Sequence, residues 1–202
     1  MRLAIISGAI VVATAACGSA AATATGHCGP AGAKTLVIDS VARVYTSAGS
    51  VYGCSASGHR YRLGSSQRHP GQPAIGKAAL AGVDVAYGAT TFGVDTSGAS
   101  VTVRRLDTGR TVRRKSAMNG PVGPEAFQSV EGLVVKSDGA VAWIAQANSV
   151  VSHRSQIEVD RVDERGGATL DTGSGIDTSS LRLHGSRLSW RHSGAVRTAT
   201  LS

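Results

Sequence analysis

Long apolar runs are what this sequence lacks first. After residue 16, nothing in the 202-residue chain approaches the ~20 apolar residues that a membrane-spanning helix needs. The long i, i+3, i+4 apolar spacing of amphipathic helices is missing too, which leaves strands to build the core. Aromatics are scarce, with two Phe, two Trp and four Tyr. Lysine is nearly absent: of the 21 basic residues 17 are arginine, a usage that reflects base composition more than a nucleic-acid groove. Chemistry-bearing motifs are absent as well. There is no C-x-x-C redox pair and no G-x-S-x-G nucleophile elbow. The six histidines (His27, His59, His69, His153, His184, His192) show no metal-ligand spacing, so no metal or other cofactor is implied. His184 and His192 read as two exposed residues facing each other across the last hairpin.

What the chain does hold begins at its N-terminus. Residues 1–24 read as a signal peptide. Arg2 makes a positive start, residues 3–16 form an uncharged, mostly apolar stretch, and Ala20-Ala21-Ala22 and Ala22-Thr23-Ala24 offer A-x-A cleavage sites. Thr14-Ala15-Ala16-Cys17 also resembles a lipoprotein box with Thr14 in the usual Leu position, which makes Cys17 a candidate lipidation site. The expected location is extracellular, with a lipid anchor on the outer membrane face as the alternative. Either fate of Cys17 leaves Cys28 and Cys54 as the remaining cysteines. In an oxidising compartment they are expected to form a disulfide, worth ~3 kcal/mol by restricting the unfolded chain.

Residues 25–202 suit one domain. The net charge of +8 falls to +7 without Arg2. For an exported chain this excess means a soluble surface, or weak attraction to anionic envelope polymers, rather than nucleic-acid binding. The densest positive cluster pairs Arg104 and Arg105 with Arg113 and Arg114 across one hairpin, a candidate anionic-polymer patch. A solvated strand face is the plainer reading.

Strands are expected almost everywhere. Residues 100–105, residues 156–162 and the set Leu181, Leu183, Leu188, Trp190 alternate apolar with polar, the period of half-buried antiparallel strands. Turns are spelled by Asp107-Thr108-Gly109, Asp138-Gly139, Gly166-Gly167 and Ser193-Gly194. Residues 64–76 and 118–127, each holding two prolines, read as loops, and residues 116–131 leave room for one helical turn. A hairpin carrying one aromatic recurs, with Tyr52, Tyr87, Trp143 and Trp190 marking the copies, and a second hairpin follows the middle two. Two hairpins per unit at a period near 45 is the pattern of a four-stranded propeller blade. The expected fold is therefore all-β, a β-propeller-like array of about four hairpin or blade repeats, with a β-sandwich as the alternative.

Lys136-Ser137-Asp138-Gly139-Ala140-Val141-Ala142-Trp143 resembles the S-P-D-G turn of TolB-like and WD40-like β-propellers. Leu106-Asp107-Thr108-Gly109-Arg110 resembles the turn between the outer strands of such blades. Over about residues 36–202 the chain looks like the exported propeller-like proteins common in actinobacteria. It departs from them in having Ser-Asp-Gly only once, without its Pro, and in lacking a Gly-His…Trp-Asp signature. The first and last units also read as too short for four strands. The resemblance implies loops gathered on one face to bind a partner.

Three motifs imitate catalysis. Asp107-Thr108-Gly109 and Asp171-Thr172-Gly173 mimic the paired loops of aspartic proteases, but ordinary turns explain both. Residues 71–78 nearly spell a P-loop, yet Ala78 stands where Ser or Thr must hold Mg²⁺ and Pro73 removes a cradle N–H. The arginine pairs are the third. No catalytic residue is therefore assigned. The expected function is a non-enzymatic binding or scaffold module of the envelope or extracellular space, monomeric, meeting a protein or an anionic polymer. The alternative is an extracellular hydrolase or lyase whose acidic residues converge from separate repeats.

Overall fold

The structure, a computed structural model, describes residues 28–120, 123 and 125–202. Residues 1–24, read above as a signal peptide, with Cys17 among them, and His27, Pro121 and Pro124 lie outside the described residues. The described chain is all-β and contains no helix, and the described residues of the 116–131 segment show no helical turn. Residues 117–120 form no strand there, and a long strand starts at Ala126. No helix is long and apolar enough to cross a membrane among the described residues.

The strands run as consecutive antiparallel meanders. The first holds β1 (Lys34–Ile38), β2 (Ala42–Ser47), β3 (Ser50–Ser55) and β4 (Arg60–Ser65). The second holds β5 (Pro73–Ala81), β6 (Asp84–Phe92), β7 (Ser97–Arg105) and β8 (Thr111–Ser116). The third holds β9 (Ala126–Val135), β10 (Val141–Ser149), β11 (Ser155–Asp163) and β12 (Gly166–Thr172). A separate three-stranded sheet closes the chain with β13 (Arg182–His184), β14 (Arg187–His192) and β15 (Ala195–Thr200). Single parallel pairs, Ser65 with Ala74 and Ser97 with Phe127, join the first three meanders into one mixed sheet of 12 strands. No closed barrel or closed ring of strands is formed among the described residues.

Two sequence expectations shift. The loop expected over residues 64–76 shrinks to 66–72, because β4 runs to Ser65 and Pro73 opens β5. Pro is tolerated at such a first strand position, where no ladder N–H is needed. The first meander also has four strands rather than a truncated set. Its aromatic in the second strand is Tyr45, fully buried, whereas Tyr52 sits on β3 and stacks against it at 5.6 Å. Tyr87, Trp143 and Trp190 lie on β6, β10 and β14, the second strands of their own sheets.

Alternation explains how the meanders stack. On β6, Val85, Tyr87 and Ala89 bury against the first meander while Ala86 points the opposite way. On β10, Val141, Trp143, Ala145 and Ala147 face the second meander, while Ala142 and Ile144 face the last sheet. A strand buried on both faces reads as one apolar run rather than as clean alternation. On β11, Ile157 and Val159 go to one cluster and Val162 to the other. Three apolar clusters thus lie between successive units, the three meanders and the last sheet. Each contact surface holds a glycine where a neighbouring sheet presses close: Gly53 under Leu106, Gly88 under Val130 and Gly132 beside Leu181.

The N-terminal segment is fixed by the Cys28–Cys54 disulfide, with 5.9 Å between Cα atoms. Arg43 assists by donating to the Cys28 and Ala33 carbonyls and to Thr35 Oγ1.

A Cβ on Gly88 would lie 2.6 Å from Val130 Cβ. Gly88→Ala is therefore expected to lower stability by ~1–3 kcal/mol, read as a lower urea midpoint. Adding Val130→Gly removes the clashing atom, so the double variant should lose less than the sum of the two single losses. Additive losses would show that the contact is not tight.

Candidate functional site

A cleft of about 280 Å³ opens where the first three meanders meet. Its walls come from the 66–72 loop, β5, β6 and β9, with Gly76, Gly88 and Val130 at the base and Arg68, Lys77, Phe92 and Glu131 around it. Local chain geometry builds it. The β5–β6 ladder shifts register between Ile75 and Lys77, so a bulge re-aims Lys77. Gly76 at the bulge has open space where a side chain would stand. The 66–72 loop is tied down by Ser66 N donating to Gly49 O, Gln67 N to Ser65 Oγ, and Gly71 N to Phe92 O. A Pro70–Phe92 bridge completes this hold and sets the Arg68 guanidinium over the Phe92 ring, 5.4 Å from its centre. None of Arg68, Lys77 and Glu131 forms an ion pair among the described residues. The cleft thus presents two cations without an ion pair, one of them stacked on Phe92, and one carboxylate. The near P-loop stretch is mostly strand β5, and its Lys77 is a cleft wall.

The remaining buried carboxylates hold the fold. Asp84 takes both nitrogens of Arg105, at 3.1 and 3.2 Å. Glu158 accepts from the Asn119 and Gly120 backbone N–H groups and from Gln156 Nε2, anchoring the loop that links the second and third meanders. Asp163 accepts from Arg161, Arg165 and the Ser202 backbone N–H. Burial raises its pKa, but these donors outweigh burial and leave it below the usual carboxylate range. Asp171 behaves alike: burial is overcome by hydrogen bonds from Trp190 Nε1 at 2.7 Å and His192 Nδ1 at 3.0 Å and by the Arg197 charge.

The two D-T-G stretches therefore have unrelated roles. Asp107 is exposed in the β7–β8 turn, while Asp171 joins the third meander to the last sheet. His192 is mostly buried against Asp171 rather than exposed opposite His184, a correction to the sequence expectation. Its strand parity put it inward beside Leu188 and Trp190, but its partner belonged to another unit.

Alternation divides the arginine group. Arg104 lies 5.9 Å from the Tyr61 ring centre, toward the first meander. Arg105 is paired with Asp84, and Arg113 donates to Gly139 O of the third meander. Arg114 is exposed. No group of three or more His, Cys, Asp or Glu suited to a metal exists among the described residues.

Asp160 is the exception among the buried acids. Its Oδ1 accepts from Asn119 Nδ2 and Thr169 Oγ1, but its buried Oδ2 has no partner. Burial pushes its pKa up to about 6 despite those two donors, with Glu158 adding to the rise. Comparison with known proteins finds no matching family model, no matching curated protein and no matching solved structure.

The Asp160 shift has a definite sign. A carboxyl that ionises near 3.8 unfolded and about 6 folded holds its proton in the folded state across that window. Its stabilising effect is complete at low pH and is lost as pH rises toward 6. The shift corresponds to roughly 3 kcal/mol. Asp163 and Asp171 act oppositely, weakening the fold as pH falls through their depressed values. Urea midpoints should therefore peak near pH ~4 and decline toward pH 6, and Asp160→Asn should flatten that decline. A decline unchanged in the variant would assign it to another group.

Proposed function

We propose that this chain is an exported, non-enzymatic binding or scaffold module built as an open, propeller-like row of four blade units. The cleft between β5, β6 and β9 takes an anionic group of an envelope or extracellular polymer. The observation that carries this reading is the pairing state of the charges. Arg68 and Lys77 stand free in the cleft beside a single carboxylate, while the deeply buried acids are bound into the scaffold. General acid–base hydrolysis of a glycan needs two carboxyls flanking one bond, and the cleft offers only Glu131. Two cations, one held in place by its stacking on Phe92, suit a carboxylate- or phosphate-bearing sugar unit instead.

The blade reading rests on three supports. The first three meanders have four strands each. Each of the three meanders and the last sheet carries a buried aromatic on its second strand: Tyr45, Tyr87, Trp143 and Trp190. Apolar clusters also lie on both faces of the two middle meanders, whereas a sandwich shares one core between two sheets. Export is supported by the disulfide, which persists in oxidising compartments. Residues 1–24 remain the proposed signal peptide, with cleavage and lipidation at Cys17 as the two fates.

Binding of labelled polygalacturonate and of poly(glycerol phosphate), followed by anisotropy at low and high salt, tests the reading. At least one should bind, weakening with salt, and Arg68→Ala with Lys77→Ala should reduce affinity tenfold or more. Affinity indifferent to both substitutions, or turnover of either polymer, overturns it.

A further inference from the structure

The last sheet differs from the other three at one strand. In each four-stranded meander the third strand, β3, β7 or β11, is covered on its far side by β4, β8 or β12. The equivalent strand here is β15, and among the described residues it pairs only with β14. We propose that β15 is a docking edge for an extended, acidic segment of a partner polypeptide, which adds as the fourth strand of this sheet.

The ladder shows which groups are free. Leu201 N donates to Ser186 O, so the odd-numbered residues 195–201 turn their backbone groups toward β14. Val196, Thr198 and Thr200 turn theirs outward. Thr200 O already accepts from Arg161 and Arg165, which closes that end of the edge. Val196 and Thr198 are left open, and Val196 is 62% exposed. Natural edges are blunted by lysine, proline or outward charge. The outer strand β8 has such a guard in Arg113, Arg114 and Lys115, whereas the charge on β15, Arg197, turns inward to Asp171.

Charge on the sheet selects the occupant. Leu188 and Trp190 point into the core, so Arg187, Ser189 and Arg191 of β14 point to the outer face. Arg182 of β13 joins that face opposite Ser189, and Val196 lies opposite Arg191. Arg187 and Arg191 form no ion pair among the described residues. An added strand runs two strand spacings, about 10 Å, from β14, within reach of an extended arginine meeting a glutamate. Its opposite face would lie beside Ala195 and Ala199, on either side of Arg197, whose guanidinium is held by Asp171. The matching segment alternates acidic with apolar residues, and β-strand addition uses this division: backbone bonds hold, alternate side chains select.

The test uses a labelled octapeptide of alternating valine and glutamate, with anisotropy and amide hydrogen exchange as readouts. The peptide should bind and protect the Val196 and Thr198 amides. Thr198→Pro removes one outward N–H without touching the β14 ladder and should weaken binding at least tenfold. Val196→Glu, a like charge on that face, and the pair Arg187→Glu with Arg191→Glu should each do the same, so the test stands if the proline variant fails to fold. The proposal is overturned by equal binding of a valine–lysine peptide. It is overturned if polygalacturonate competes while Thr198→Pro has no effect, which would make the face a polyanion site. Sedimentation as a dimer that Thr198→Pro dissolves would make the occupant a second copy. Protection of both amides before peptide is added would mean that the chain covers its own edge.

Discussion

Close approach between successive sheets is the constraint on which this structure depends. No sheet can bury its faces alone, because alternation puts apolar side chains on both sides of β6 and β10. With so few aromatics, the gaps must be narrow to be filled by Val, Ala and Leu. Glycine supplies the clearance: Gly53, Gly88 and Gly132 each face a side chain from a neighbouring sheet at a distance that no Cβ tolerates or only a yielding one does. The two tryptophans fill the widest places, and each finds a partner for its indole N–H, Trp143 at Ala117 O and Trp190 at Asp171.

Polar joints complement these contacts. Glu158 grips the chain as it passes from the second to the third meander. Asp163 grips it where it ends, at Ser202, and Asp171 pins β14 and β15. Buried charges of this kind contribute little net stability against a well-packed apolar equivalent, but losing one partner is expensive. Their consequence is positional: they fix which segment meets which sheet. Asp160 sits in the same network with one oxygen unanswered, so its burial appears as a raised pKa rather than as a bond.

Much of this architecture is legible in the chain because period-two alternation and turn chemistry are local. The residues 100–105 and 156–162 strands lie within β7 and β11, and Asp138-Gly139 makes its turn with Gly139 at φ 81°. The Cys28–Cys54 bridge follows from cysteine arithmetic. What escapes is non-local. Gly49-Ser50-Val51-Tyr52 imitates the aromatic hairpin so well that Tyr52 masks Tyr45, and only packing against Gly29 and the N-terminal segment distinguishes them. Asp171 looks like a turn residue because its partners lie 19 to 26 positions later. The cleft is equally hidden: Arg68 and Lys77 sit in a Pro- and Gly-rich stretch, and Glu131 arrives from another meander.

The two ends of the row also bear on why it stays open. The outer face of the first meander carries Arg43 over Tyr45 and Arg60 over Tyr52, partly covered by the disulfide-bound segment. The outer face of the last sheet carries Arg182, Arg187 and Arg191. Closing a ring by stacking these faces would bring like charges together out of water, and Asp177 beside the last sheet is already bonded to Ser179. The interior joints obey the opposite rule, each placing an acid against donors from its neighbour. The same chemistry that binds unit to unit within the row therefore stops at its ends, and what can continue the row must bring negative charge with it.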